Sequence, residues 1–518
     1  ETGGFEIPES ISFYNELLQD AGYYTSNCSK TDYNLRGPKG RNPKEYWNYS
    51  GGDYAGTWKK RKKDQPFFTV YNIGDSHESR AFGDHKDESV DPQKMILAPY
   101  HPDLPEMRNT YAKYSSAISK MDSLVGQAVE NLKNDNLYED TIVVYNSDHG
   151  GVLARSKRFL YSSGIHCPLI VRIPEKWKHL YPEGKKPGST IDRVVSFIDM
   201  PKTWLSLTGA KVTENFQGRI FLGPDTEPEP RYHFSWRERA DERFDNVRVV
   251  RDEQFAYHKN YAPFAPNGQY LAYMHNMKAT GAWEKHHQAG KTNKITGRFF
   301  EPRLSEEFYD NFKDFHNIDN RIEDPLQQSK IEELKKELRR QQLKYFDSGL
   351  MPEEMRKRIT SEKKTTVYAF VRDPKVYPLA KYLDYADLAL TRKKKNLSTL
   401  TQGLLDSDPV MRYWSVIGLL LLEKKAKSAI PKLKNVLGDR DEIPAFAAWA
   451  IYKAGEKAFA EKWMLEAITH NPGNKTLANI FDWMGKESFS ILAQIPEDKL
   501  SKRDLLKDVV NRYKTRVL

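Results

Sequence analysis

The segment from Thr141 to Ile173, TIVVYNSDHGGVLARSKRFLYSSGIHCPLIVRI, constrains the fold more than any other stretch of the chain. Thr141 to Tyr145 is an uninterrupted β-branched and aromatic run, which predicts a buried strand. Polar residues follow at once: Asn146, Ser147, Asp148 and His149, then Gly150 and Gly151. In an open α/β sheet, the loop past the carboxyl end of a strand is where ligands are held. A carboxylate beside an imidazole, with two glycines allowing a tight turn, lets one loop offer two donors to a metal ion. Asp148 brings the hard oxygen that suits calcium or magnesium, whereas imidazole is an unusual ligand for either. Arg155, Lys157 and Arg158 follow closely, and cations beside such a loop favour an anionic substrate. Taken alone, Asp-His-Gly is equally the pattern of an Asx turn, and three basic residues that of a solvated face.

Two more strand ends carry chemistry. Glu6 to Asp20 reads as a lead-in loop and a helix, with Ser10 as its cap and Gly22 as its stop. Tyr23 to Ser26 is then a strand that delivers Lys30, which shares a rim with Asp148 if the sheet is parallel. Phe67 to Ile73 is a second strand, and His77 projects from its end. Tyr100 to Arg108 is a proline-broken loop. Thr110 to Lys133 places Tyr114, Ile118, Met121, Val125, Val129 and Leu132 on one helical face and feeds the Thr141 strand. Leu169 to Ile173 is a further strand, and Ile191 to Leu207 a helical stretch. This helix-strand alternation predicts an α/β core.

Beyond Arg219 the pattern changes to short strands. Val247 to Arg251 and Phe255 to Lys259 are neighbours in an antiparallel sheet. Arg237, Arg239, Asp241 and Arg243 precede them, either lining a substrate entrance or forming a surface salt-bridged set, the second being favoured. Pro325 to Phe346 is a charged amphipathic helix. Two Ala- and Leu-rich helices then open on Asp408 and Asp441, 33 residues apart (441 − 408). The expected organisation is an α/β core over 1–215, a smaller α+β subdomain with a closing helix over 216–346, a linker over 347–373, and an all-α domain over 374–518. The last of these either packs on the core or mediates a homo-oligomer.

Composition narrows the partners. The chain of 518 residues is too long for one ordinary core. Its longest apolar run, Val416 to Leu422, is far short of the ~20 residues of a membrane span. Cys28 and Cys167 are the only cysteines, which excludes a Cys-rich metal site and a disulfide-stapled scaffold. A net charge of +10 favours anionic partners. The basic residues are spread among acids with neither finger spacing nor RNA-binding aromatics, so nucleic acid is not expected.

The segments SDHG, a basic residue four places before Tyr161, and SSGIHCPLIVRIP together closely resemble the conserved stretch of type I sulfatases, alkaline-phosphatase-like hydrolases of sulfate esters and sulfamates. PFFTVYNIGDSH resembles the family segment whose histidine contacts the sulfate. The stretch through GYYT to NCSK resembles the one ending in a glycine-lysine-x-histidine signature, with Asp32 at the usual histidine position. Ser305 to Arg321 resembles the turn and strand that close a sulfatase domain, and the Asp408 and Asp441 helices resemble HEAT-type repeats. The resemblance implies an alkaline-phosphatase-like fold and Asp148 and His149 as two ligands of one calcium ion. It makes Lys30, His77 and Lys157 catalytic-site contacts to the sulfate, with Arg155 as an accessory. It also implies a sulfated carbohydrate substrate, a periplasmic or secreted location, and a formylglycine nucleophile made from a C/S-x-P/A-x-R motif. Neither Cys28 nor Cys167 has the required Pro and Arg, so the nucleophile is expected in a section preceding Glu1. The alternatives are a non-catalytic sulfatase-like binding or assembly protein, or a related phosphatase or phosphodiesterase, which would use two zinc ions.

Overall fold

Helix α1, Tyr14–Asp20, is the first helix among the described residues. Its amino end is Phe13, whose backbone N–H donates to Glu16 at 3.2 Å, so Ser10 is not the cap. The computed structural model describes all residues except 1–4, 7, 8, 32, 34, 37–41, 53–56, 240, 502–504 and 518. Asp32 therefore lies outside the described residues.

Strand β1, Tyr24–Cys28, is the centre of a three-stranded parallel sheet, between β2, Tyr49–Ser50, and β3, Phe67–Tyr71. Its registers are Ser26 opposite Tyr49 and Tyr24 opposite Phe67. Buried polar residues run along β1, and each finds a partner, as burial requires. Thr25 N–H donates to Asn48 Oδ1 at 2.8 Å, the Ser26 and Thr69 hydroxyls lie 2.9 Å apart, and Asn27 Oδ1 accepts from Asn72 at 2.6 Å. This ladder fixes the strand end that leads to Lys30.

Helix α2, Pro105–Asn134, starts earlier than the sequence predicts because Pro105 occupies its first turn, where a missing N–H costs nothing. Strand β4, Val143–Asn146, pairs antiparallel with β5, Leu169–Arg172, in a ribbon separate from the parallel sheet. The expected buried strand is thus half-exposed: Tyr145 reaches Met121 on α2, while Ile170 of its partner strand is 63% exposed. Helix α3 is only Asp199–Leu207, since Pro201 belongs in a first turn and cannot continue a helix from further upstream.

The smaller sheet is antiparallel, in the order β9-β8-β7-β6, built from β6 His233–Arg237, β7 Val247–Arg251, β8 Phe255–Asn260 and β9 Glu306–Asp310. Helix α4, Lys278–Gln288, lies between β8 and β9 in sequence and packs on α2. Helix α5, Gln328–Lys344, buries Ile331, Leu334 and Leu338 against Val250, Tyr257 and Phe308 of the sheet.

From there the chain is helical. The segment read as a linker holds α6, Glu353–Glu362, with Met355 buried. Then come α7 Leu379–Leu390, α8 Pro409–Leu422, α9 Ile443–Ala454, α10 Lys457–His470, α11 Lys475–Met484 and α12 Leu505–Val517. Asp408 caps α8 by accepting from Val410 N–H at 2.9 Å. Asp441 does not cap α9: it has a positive φ of 62° and pairs with Arg358 of α6 at 2.8 Å. Tyr261, Ala262, Phe264 and Ala265, from the loop after β8, belong to the same hydrophobic cluster as these helices. An α/β core, a small antiparallel sheet and a large carboxyl-terminal helical region therefore make up the molecule, and none of its described helices is long and apolar enough to cross a membrane.

Candidate functional site

Three loops distant in sequence meet at one place. The first follows β1, where Asn27 Nδ2 donates to the Lys30 carbonyl at 2.7 Å and Lys30 Nζ reaches to 3.6 Å from Asp148 Oδ2. The second follows β3. His77 Nδ1 accepts from Ser79 N–H at 3.3 Å and lies 2.9 Å from the Ser79 hydroxyl. A neutral imidazole that accepts at Nδ1 carries its proton on Nε2, so Nε2–H is the donor left for a ligand. Burial and then the Lys157 and Lys30 ammonium groups hold the His77 pKa below the ordinary histidine value, against the opposing pull of Glu78 and Asp148.

The third loop follows β4. Gly150 N–H donates to Gly164 O at 2.8 Å and Gly151 N–H to Ser163 O at 3.1 Å, lacing the Asp148 turn to the segment before β5. A Cβ on Gly150 would lie 2.1 Å from the Ser163 carbonyl oxygen, so only glycine allows this approach. Lys157 N–H donates to Gly151 O at 2.8 Å, which sets its side chain beside the same turn. Lys157 Nζ lies 3.4 Å from Oε2 of Glu78, and Arg158 Nη1 lies 2.9 Å from Oε1 of that carboxylate. Arg158 Nε also bonds Asp241 at 2.8 Å.

The structure thus brings Lys30, His77, Asp148, His149 and Lys157 together. Arg155 does not join them. Its guanidinium is sandwiched between the Tyr100 and Tyr161 rings, 4.4 and 4.0 Å from their centroids, and donates to the His316 and Asn317 carbonyls at 2.8 and 2.7 Å. It is a buried brace, unable to reach a substrate. The 237–243 cluster is also mostly internal. Arg237 pairs with Asp245 at 3.2 Å, Arg239 with Glu353 at 2.5 Å, and fully buried Arg243 with Asp482 at 3.5 Å. Each charge there has a partner inside the protein, which is why the group is not a surface set. Cys28 is buried at the end of β1. Cys167 precedes β5 near Ser147 and Asp148, and burial raises its thiol pKa.

Sequence reasoning missed Glu78 and Tyr273, and with Glu78 the pairing that turns Arg158 inward. Glu78 sits next to His77 and Arg158 next to Lys157, so adjacency was a usable signal. Tyr273 comes from a distant loop, yet its ring lies 6.0 Å from that of His77. Nothing local in the sequence marks it.

Asp148 and His149 present two donors to a calcium ion. His149 Nδ1 donates to Gly150 O at 2.8 Å, leaving the Nε2 lone pair available 3.6 Å from Asp148 Oδ1. That is a suitable pair of donors, but calcium takes about six to eight oxygens. Among the described residues no group of three His, Cys, Asp or Glu is placed to hold a metal. Asp148 and His149 alone therefore do not make a calcium site.

Residues 12–210 match the sulfatase family model. The chain is 32% identical over 385 residues to an ulvan-active sulfatase of Formosa agariphila, an alignment covering 67% of this chain and 62% of that protein. It is 30% identical over 131 residues to an N-acetylglucosamine-6-O-sulfatase of Bacteroides thetaiotaomicron, covering 24% and 22% of the two chains. Human arylsulfatase K is 29% identical over 126 residues, again 24% of this chain and 22% of the relative. The chain thus spans less than two thirds of the length of each of these relatives.

Proposed function

We propose that the protein hydrolyses sulfate ester or sulfamate groups on a sulfated saccharide. One observation carries this reading: three loops remote in sequence bring two ammonium groups, Lys30 and Lys157, and the Nε2–H of His77 to a single exposed turn. Such donors stabilise negative charge that grows on sulfuryl oxygens as the S–O bond breaks. His77 Nε2–H would donate to a sulfuryl oxygen or to the bridging oxygen as it leaves. Calcium bound at Asp148 and His149, and a formylglycine nucleophile, enter through the family resemblance alone, and none of these residue roles depends on either. The relatives named for ulvan and for N-acetylglucosamine 6-sulfate make these the first substrates to try. A periplasmic or extracellular location, where such polysaccharides are met, belongs to the same proposal, as does self-association through the helical region, which sedimentation would test.

Side-by-side turnover of ulvan oligosaccharides and of matched phosphate esters tests the reading. Release of sulfate in preference to phosphate is expected, and the reverse preference would replace it with phosphatase chemistry. A second reading, a saccharide-binding relative without turnover, is favoured by one fact: neither Cys28 nor Cys167 is followed by the Pro and Arg of a formylglycine motif. Binding of the same oligosaccharides without sulfate release would select it.

A further inference from the structure

We infer that Tyr273 is a saccharide-contacting residue of this site and that the carboxyl-terminal helical region sets its position. The inference rests on the sulfated-saccharide reading and deepens it. Tyr273 lies on the short helix Ala272–His275. Leu271, Met274 and Met277 around it are buried almost completely, which fastens this turn to the core formed with Tyr100 and Phe159. Tyr273 points the other way and stays 37% exposed. Its ring meets Phe82 at 5.1 Å and His77 at 6.0 Å, both edge-on, so the exposed remainder borders the Lys30–His77–Lys157 cluster. An apolar ring face beside a group of anion donors is what a sulfated sugar presents in reverse: a charged substituent on a ring with C–H faces. Ligand sites characteristically pair aromatic walls with a few fixed polar groups in this way.

The loop carrying Tyr273 is held from the helical side. Phe264 packs against Phe446, Trp449 and Trp483, at 5.3, 5.6 and 5.1 Å between ring centroids. Trp483 Nε1–H donates to Gln269 at 2.8 Å, and Arg243 donates to the Tyr270 carbonyl at 2.5 Å. From α12, the Arg512 guanidinium lies 4.1 Å over the Tyr270 ring and bonds Asp482 of α11 and Glu284 of α4. Gln269 and Tyr270 thus reach helices far along the chain, a few residues before Tyr273. The helical region is a wall of the saccharide site at one remove.

The test uses the intact protein, with wild type, Tyr273→Ala and Tyr273→Phe, and dissociation constants from ligand-observed NMR. The probes are inorganic sulfate and ulvan oligosaccharides. Tyr273→Ala should weaken oligosaccharide binding tenfold or more, leave sulfate binding unchanged, and be rescued by Tyr273→Phe. Equal oligosaccharide binding by wild type and Tyr273→Ala overturns the inference while leaving the parent reading in place. Equal losses for sulfate and oligosaccharide also overturn it, since the residue would then act on the anion cluster alone. If wild type binds sulfate but no oligosaccharide, the saccharide reading falls and this inference falls with it.

Discussion

Lys157 Nζ lies 3.4 Å from Oε2 of Glu78, a carboxylate with no solvent exposure that also takes Arg158 at 2.9 Å. A buried carboxylate between two cations does two things: it neutralises part of their charge and it fixes where Lys157 stands. Removing one member of such a set leaves the others with one partner fewer in a desolvated place.

Glu78→Gln is therefore expected to cost about 3 kcal/mol of stability, because Lys157 loses its buried counter-charge and Arg158 is left with Asp241 alone. Urea unfolding measures it. A loss under about 1 kcal/mol, the range of an exposed pair, would show that Glu78 is not the anchor described.

Arg155→Lys is expected to destabilise by about 2 kcal/mol, since an ammonium cannot stack between Tyr100 and Tyr161 as a planar guanidinium does. The folded variant should keep its kcat/KM within about threefold, because Arg155 reaches no substrate. A large kinetic loss with unchanged stability in thermal melts would return Arg155 to the sulfate site.

The contrast between Arg155 and Lys157 shows how far the sequence can be read. Strand ends were legible to within two residues, read at Ser26, Ile73 and Tyr145 and found at Cys28, Tyr71 and Asn146, because the polar residues that follow each run have nowhere to go but a loop. The α/β core, the antiparallel pair at Val247 and Phe255, and the helical end followed from periodicity in the same way. Which of Arg155, Lys157 and Arg158 faces solvent did not follow. That depends on the left-handed turns at Arg155 and Arg158, φ 69° and 79°, and on rings brought in from Tyr100 and Tyr161. The pairing of β4 with β5 as a separate antiparallel ribbon was likewise invisible, since strand direction is decided by neighbours distant in sequence.

Buried histidines set the acid sensitivity. His101 and His258 are held down to about 3, and His233 to about 4, chiefly by burial. In the unfolded chain each takes up its proton near 6.5, while the folded chain refuses it until far lower pH. Their contribution is intact above about pH 6.5 and is lost as pH falls from there towards the folded values. The slope is about 1.4 kcal/mol per pH unit for each such histidine. Urea midpoints should drop steeply between pH 7 and pH 5. Equal midpoints at those two values would mean these histidines are not buried in neutral form.

Lys30→Met and Lys157→Met each remove one cation from the proposed sulfate contacts, and each is expected to lower kcat/KM about 10²- to 10³-fold, as the loss of an oxyanion donor does. Stability should suffer more from Lys157→Met, because it takes one of two cations from buried Glu78, than from Lys30→Met, whose lysine is half-exposed. Sulfate-release kinetics and urea unfolding on the two variants check this ordering. Equal destabilisation would contradict it.

The most direct test of the central claim is sulfate release from ulvan oligosaccharides, followed by ion chromatography, for the wild type and for His77→Ala. Release by the wild type and a loss of about 10²-fold or more in the variant are expected, the scale of a hydrogen-bond donor lost from the transition state. Sulfate released at the same rate by both would show that the Lys30–His77–Lys157 cluster is not where the reaction happens.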